Sequence, residues 1–73
     1  MAQRGTVERF IEEKGYGFIR PDGASEEVFV HYTDVAGNGY RSLREGERVA
    51  FEVKGGARRG PRAHNVRTDG SPD

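Results

Sequence analysis

Aromatic side chains alternate with small or aliphatic ones in two short stretches of this chain. If both stretches are strands, successive side chains point to opposite faces, so the rings share one face. That aromatic set is Tyr16, Phe18, Phe29 and His31, and the opposite set is Gly17, Ile19, Val28 and Val30. A single core needs only one apolar face from an antiparallel sheet. The aromatic side is then free for another task, and flat rings beside cations are how proteins stack unpaired bases.

Each of these features also has an ordinary structural explanation. A lone phenylalanine on a strand is commonly a core residue, but here the aliphatic set already occupies the other face. Gly15 and Gly17 either relieve a bulge or keep the surface open to a chain of nucleotides. The glycine pair is a weak match to a phosphate-binding loop, because no lysine–hydroxyl ending and no helix follow it. The alternation therefore favours a base-stacking surface.

Catalytic and metal-binding arrangements are not indicated. Glu12 and Glu13 are adjacent, so on a strand their carboxylates face opposite ways. His64 is the only histidine besides His31, and the chain has no cysteine to complete a zinc site. The sequence predicts a non-enzymatic protein with no cofactor and no metal. A protein-interaction module that uses the exposed rings as its contact patch stays open as a second hypothesis.

The formal net charge is zero, but the charge is unevenly spread. Residues 1–36 hold four Lys/Arg against seven Asp/Glu, and residues 37–67 hold eight against three. A basic second half is compatible with a polyanionic partner and equally with ordinary solvated arginines. Arg58, Arg59 and Arg62 flank a glycine-rich segment, which favours contact with phosphates.

With 73 residues the chain makes one small domain. A chain of this size buries only about 60% of its unfolded surface, so its stability is expected to be marginal. No apolar run reaches the ~18 residues of a membrane span, and no hydrophobic segment follows the first residues as in a signal peptide. The absence of cysteine fits a reducing compartment. We expect a soluble, cytoplasmic monomer with a domain over 1–68 and a disordered tail over 69–73.

Short runs of β-forming residues separated by turns predict an all-β fold. The predicted strands are Gly5–Glu13, Gly15–Arg20, Glu26–Tyr32, Glu47–Lys54 and Arg62–Thr68. Imperfect alternation in the first of them predicts a bend or bulge near Arg9. A short helical turn over 33–35, capped by Thr33, and a long connection over 36–46 complete the chain. Together these elements predict a five-stranded, antiparallel, closed Greek-key barrel.

The predicted core is mostly β-branched, which suits a narrow barrel interior. Its members are Val7, Ile19, Val28, Val30, Val35, Leu43, Val49, Phe51, Val53 and Val66.

Several segments are similar to those of one known family. Lys14–Ile19 resembles the first ribonucleoprotein motif of the cold-shock domain family, and Val28–Tyr32 resembles the second. Segments 5–7, 39–43 and 59–61 also follow the family's order and spacing. The similarity covers about residues 4–68. It implies a five-stranded oligonucleotide-binding barrel (OB-fold) that binds single-stranded RNA and DNA, as an RNA chaperone or a transcription antiterminator.

The resemblance also implies a set of binding residues. Carried over position by position, they are Phe10, Lys14, Tyr16, Phe18, Phe29, His31, Tyr32, Tyr40, Arg59 and Pro61; Arg9 is added to the predicted set on its own chemistry, as described below. The aromatic members would stack bases, Lys14 and Arg59 would lie near phosphates or base edges, and Pro61 would line the end of the groove. Pyrimidine-rich strands are the expected ligands.

The first strand departs from the family pattern. The family usually has a lysine and then a tryptophan where this chain has Glu8 and Arg9, and Ile11 replaces a usual polar residue. Glu8 adds a negative charge beside the expected nucleic-acid path. Arg9 replaces an indole with a guanidinium plane, which also stacks on bases.

Overall fold

The computed structural model describes residues 3–36, 43–55 and 61–68. Its strands are β1 (Gln3–Ile11), β2 (Tyr16–Pro21), β3 (Val28–His31), β4 (Arg48–Lys54) and β5 (Arg62–Thr68), with one 3₁₀ turn at Tyr32–Asp34. The strands form a closed barrel in the order β1-β2-β3-β5-β4. This arrangement confirms the predicted all-β, five-stranded barrel. No helix within the described ranges is long and apolar enough to cross a membrane.

Strand pairing is antiparallel from β4 through β1 and β2 to β3, and also between β4 and β5. The pair that closes the barrel is different: β3 and β5 run parallel, with Phe29 opposite Arg62. An isolated parallel bridge between Val35 and Val66 continues this contact beyond β3. The barrel therefore closes through contacts between residues distant in the chain.

The barrel interior contains the aliphatic set that the alternation predicts. Of the ten predicted core residues, eight are buried, and Val35 and Val53 are half-buried and pack against them. Ala50 and Ala63 are buried as well, although their small side chains gave no signal in the sequence. The core is complete without any ring from β2 or β3, since Phe51 of β4 is its only fully buried aromatic residue among those described.

Two irregularities shape the barrel. In β1, Val7 lies opposite Ile19 and Arg9 opposite Phe18, so the pairing register shifts between Val7 and Arg9. This bulge confirms the predicted bend, and it turns Val7 inward and Arg9 outward. A second shift lies between β4 and β5, where Asn65 adopts a φ of 53°. Asparagine is one of the few residues other than glycine that tolerate this conformation.

The predicted helical turn is displaced by one residue. The 3₁₀ turn covers Tyr32–Asp34, and its cap is His31 rather than Thr33. The His31 ring accepts from the Thr33 N–H, and the Asp34 carboxylate accepts from the His31 N–H. The prediction of Thr33 as cap was wrong because it relied on the usual preference for hydroxyl and carboxyl caps, whereas here an imidazole fills that role.

Candidate nucleic-acid interface

The pairing of β2 with β3 brings four rings together on the outside of the barrel. Tyr16 lies opposite His31, and Phe18 lies opposite Phe29. Side chains of directly opposed residues in an antiparallel pair are close neighbours on the same face. We call this group of four the aromatic face. Its position on the side of β2 and β3 away from the core confirms the alternation argument.

The rings of the aromatic face contact one another but do not form a closed stack. Tyr16 and Phe29 have centroids 5.8 Å apart at 31°, whereas Phe18 is 6.0 Å from Phe29 at 72°. Tyr16 and Phe18 meet edge to face at 6.2 Å. These separations are those of favourable aromatic pairs. All four residues are half-buried, so each ring keeps part of its surface in solvent.

Tyr32 extends the aromatic face on the side of the β1–β2 turn. The centroids of its ring and of the His31 ring are 4.6 Å apart. At 46%, Tyr32 is the most exposed large hydrophobic side chain among the described residues. The backbone of Tyr32 donates to the Gly15 carbonyl at 2.8 Å. Gly15 has a φ of 76°, and a Cβ there would approach the Tyr32 ring within 2.7 Å. The absence of a side chain at Gly15 therefore leaves the space that the Tyr32 ring occupies.

Gly17 has a structural explanation that does not involve a ligand. It is buried on the inner side of β2, and a Cβ there would lie 2.2 Å from the Arg9 carbonyl oxygen. Glycine lets β1 and β2 approach closely at the bulge. The hypothesis that Gly17 keeps the binding surface open does not apply, because it faces the other way.

The bulge in β1 determines which side chains border the aromatic face on that side. Arg9 is exposed opposite Phe18, and half-buried Ile11 lies opposite Tyr16. Phe10 lies opposite Gly17 and packs against the core cluster. The structure thus places Arg9 next to the aromatic face, and it places Phe10 mainly against the barrel interior.

Of the other four members of the predicted set, two are described by the structure and two are not. Lys14 is exposed in the turn between β1 and β2. Pro61 is exposed, and its carbonyl accepts from the Phe29 N–H at 3.4 Å. Tyr40 and Arg59 lie outside the described residues.

Sequence reasoning named Arg62 as a phosphate contact but missed its pairing with Asp34 and its position against Phe29. Arg62 of β5 places its guanidinium 5.8 Å from the Phe29 ring centroid, a cation–π distance. Its Nε donates to the buried Asp34 carboxylate at 2.9 Å, and the His64 Nδ1 lies 3.4 Å from the same carboxylate. No local pattern could have found the pair, because Asp34 and Arg62 are 28 residues apart in the chain.

A second arginine borders the aromatic face near Phe18 and Phe29. Arg20 of β2 forms an ion pair with Glu8, the residue at the β1 bulge. The guanidinium holds the pKa of Glu8 below its ordinary value, and Glu8 in turn raises the pKa of Arg20. A bidentate pair between Arg48 and Asp22, with both N–O distances at 2.7 Å, lowers the pKa of Asp22 in the same way. The negative charge of Glu8 is therefore offset locally.

His31 is held in a defined orientation. Its Nδ1 accepts from the Thr33 N–H at 3.3 Å and lies 3.0 Å from the Thr33 hydroxyl oxygen. A nitrogen that accepts a backbone N–H carries no proton, so in the neutral ring the proton is on Nε2. The Nε2–H is then a donor available to a ligand carbonyl. Across the described residues, no group of three or more His, Cys, Asp or Glu side chains could hold a metal ion.

Comparison with known proteins gives consistent matches. The family described as 'Cold-shock' DNA-binding domain matches residues 3–69. A probable cold shock protein A of Mycolicibacterium smegmatis is 52% identical over 65 residues, which cover 89% of this chain and 96% of that protein. Cold shock protein CspB of Geobacillus stearothermophilus is 55% identical over 64 residues, covering 88% and 94% of the two chains.

A solved structure shares the fold. The structure titled drosophila Unr CSD456 superposes with a TM-score of 0.77 at 23% identity. The match covers all of this chain and 28% of that longer chain.

Proposed function

Because the chain belongs to the cold-shock DNA-binding domain family, we propose that it binds single-stranded RNA or DNA by stacking bases on the aromatic face. One observation supports this most directly. The four rings lie outside a barrel whose core is already filled by aliphatic residues and Phe51. Aromatic side chains with a free π surface bind any base, because every base has a π face.

The cations around the aromatic face have a second role in this proposal. Arg9 is exposed beside it and Lys14 is exposed in the β1–β2 turn, and we assign contact with the nucleic-acid backbone to them and to Arg59. Contacts with phosphates position a strand without reading its sequence. The Arg9 guanidinium is also a plane on which a base stacks, in place of the indole usual in the family.

The finer parts of the proposal follow from the family and from the orientation of His31. Pyrimidine-rich strands are the proposed ligands, since the Nε2–H of His31 is free to donate to a pyrimidine carbonyl. The protein would act as a cytoplasmic, monomeric, non-enzymatic RNA chaperone or transcription antiterminator. Binding only the open strand shifts RNA away from folded structures by mass action.

Removing single rings tests the proposal. We expect Phe18→Ala and Phe29→Ala each to weaken binding of a labelled single-stranded heptamer by ~1–3 kcal/mol, the typical contribution of one stacked base. Phe18→Leu fills part of the same space without a ring and should weaken binding as well. Fluorescence anisotropy measures affinity, and thermal melting measures the folded fraction.

Ile19→Val is the matched control, because Ile19 is the neighbour of Phe18 on the inner face. It should lower stability by roughly 0.5–1.5 kcal/mol and leave affinity unchanged. Normal binding by both phenylalanine variants, with a loss of stability only, would refute the proposal. If a protein partner is retained after RNA and DNA are digested, and its retention requires Phe18, the rings serve a protein-interaction surface instead.

A further inference from the structure

Arg20 stands at one end of the aromatic face within a group of acceptors. Its Nε donates to Glu8, its NH1 donates to the Ser25 carbonyl at 2.9 Å, and its NH2 lies 3.9 Å from Glu27. The acceptors come from β1 and from the β2–β3 turn, on different sides of the guanidinium. A guanidinium donates in its own plane, so these groups fix the orientation of that plane.

The same arginine lines an open hollow of about 430 Å³ beside the aromatic face. The hollow is also lined by Phe18, Phe29, Pro61, Ser25, Glu26 and Glu27. The side chain of Arg20 keeps 40% of its surface exposed although its edge is occupied. What remains for a ligand is the flat face of the guanidinium, and such planes stack on bases.

The charge of this hollow disfavours a phosphate. Glu26 and Glu27 line it and Glu8 adjoins it, whereas Arg20 is its one cation among the described residues. A carboxylate repels a phosphate but accepts hydrogen bonds from an amino group on a base. A nucleotide that enters from the aromatic face would therefore place its base, and not its backbone, in the hollow.

We propose that this hollow is a base subsite that selects cytosine over uracil or thymine, with Arg20 as its stacking plane and Glu26 and Glu27 as its acceptors. Cytosine offers the N4 amino group as donor to a carboxylate, whereas uracil and thymine present the O4 acceptor at that position. The inference rests on the proposed single-strand binding and adds a base preference at one position. It also identifies Arg20, which the sequence did not indicate, as a binding residue.

A cytosine walk tests the subsite. Seven RNA heptamers, each with one cytosine in an otherwise all-uracil strand, are titrated into the wild-type protein beside the all-uracil parent. We expect one position to bind about tenfold tighter than the parent, the size of one good base contact. Equal affinity for all seven strands and the parent would overturn the inference and leave the proposed function intact. No binding of any strand would instead defeat the proposed function.

Charge-neutral variants separate base reading from general electrostatics. Glu26→Gln combined with Glu27→Gln removes two negative charges, so simple electrostatics predicts equally tighter binding of cytosine and uracil strands. The subsite predicts that the preference for cytosine at the selected position disappears. A preference that persists unchanged in this double variant would overturn the inference.

Arg20→Gln tests the stacking plane, and Arg48→Gln is its matched control. Both arginines are ion-paired and partly exposed, but Arg48 lies on β4 and does not line the hollow. We expect a roughly tenfold loss of affinity for the best heptamer in Arg20→Gln, and a smaller loss in Arg48→Gln. Equal losses in two variants of equal melting temperature would show that only net charge matters, against the proposal.

Discussion

The two faces of β2 and β3 differ in composition, burial and expected task although they alternate along the same strands. Ile19 and Val30 on the inner face are completely buried. Phe18 and Phe29 on the outer face have larger apolar side chains, yet they are only half-buried. The inner face thus closes the core with small branched side chains. The bulky rings are thereby left for contacts outside the molecule.

The two arginines that border the aromatic face show a related difference. Arg62 is anchored to Asp34, whose side chain is only 7% exposed, so a buried carboxylate holds an arginine that is itself 44% exposed. Arg20 is anchored to Glu8, whose side chain is 35% exposed. An ion pair in solvent contributes little to stability and weakens with salt. The position of Arg62 is therefore held by a buried carboxylate, and the position of Arg20 by a partly exposed one.

The largest expected effect is on the inner face. Ile19→Ala should lower the free energy of unfolding by about 2–5 kcal/mol, because the truncated side chain leaves a cavity in the core. The affinity of the remaining folded protein for a heptamer should not change. Urea denaturation gives the stability, and anisotropy under conditions where the variant is folded gives the affinity. A loss of affinity larger than the loss of folded fraction would mean that the two faces are not independent.

An intermediate effect is expected at Asp34, in the 3₁₀ turn after β3, whose carboxylate accepts from the His31 N–H and from Arg62 at the border of the aromatic face. Asp34→Ala should cost about 1–3 kcal/mol of stability, because the His31 N–H loses its acceptor and Arg62 loses its anchor. The exposed Asp22 is the control: Asp22→Ala breaks another arginine pair but should cost less, since both partners remain hydrated. Equal stability losses in urea denaturation would show that burial of Asp34 does not matter.

The smallest expected effect is a decrease in the free energy of unfolding at low pH. Glu8 and Asp22 have pKa values lowered by Arg20 and Arg48, from ordinary values of 4.5 and 3.8. A lowered folded-state pKa means that the stabilisation is fully present above the ordinary value and is lost as the pH falls through the lowered one. Denaturation from pH 7 to pH 2 should show this loss. The Glu8→Gln and Asp22→Asn double variant should show a flatter profile below pH 5, and an identical profile would contradict the assignment.

Much of the fold could be predicted because a strand has a period of two. That period separated Ile19 and Val30 from Phe18 and Phe29, and the broken alternation around Arg9 correctly indicated the bulge. The resemblance of the two central motifs to the cold-shock domain family is confirmed by the family match over residues 3–69. These features are local, so each could be recognised without knowing where the rest of the chain lies.

The remainder depends on contacts between distant residues. Nothing near Asp34 indicates that it accepts from Arg62, and nothing near Glu8 indicates Arg20 as its partner. The parallel pairing of β3 with β5 is also a property of closure that no single segment encodes. The Thr33 cap was mispredicted because residue preference could not anticipate the imidazole of His31 in that position. The roles of Tyr40 and Arg59 remain predictions, since both lie outside the described residues.

The insertion of β5 between β3 and β4 has a consequence for synthesis on the ribosome. The first three strands form a local meander. However, β3 and β4 each lack one neighbour until β5 is translated, and β5 begins at Arg62, some thirty residues after β3 ends at His31. A nascent chain that lacks this segment exposes two unpaired strand edges at once, and such edges promote association with other chains. Emergence of β5, rather than emergence of the aromatic strands, therefore marks the moment at which a ligand meets a closed barrel.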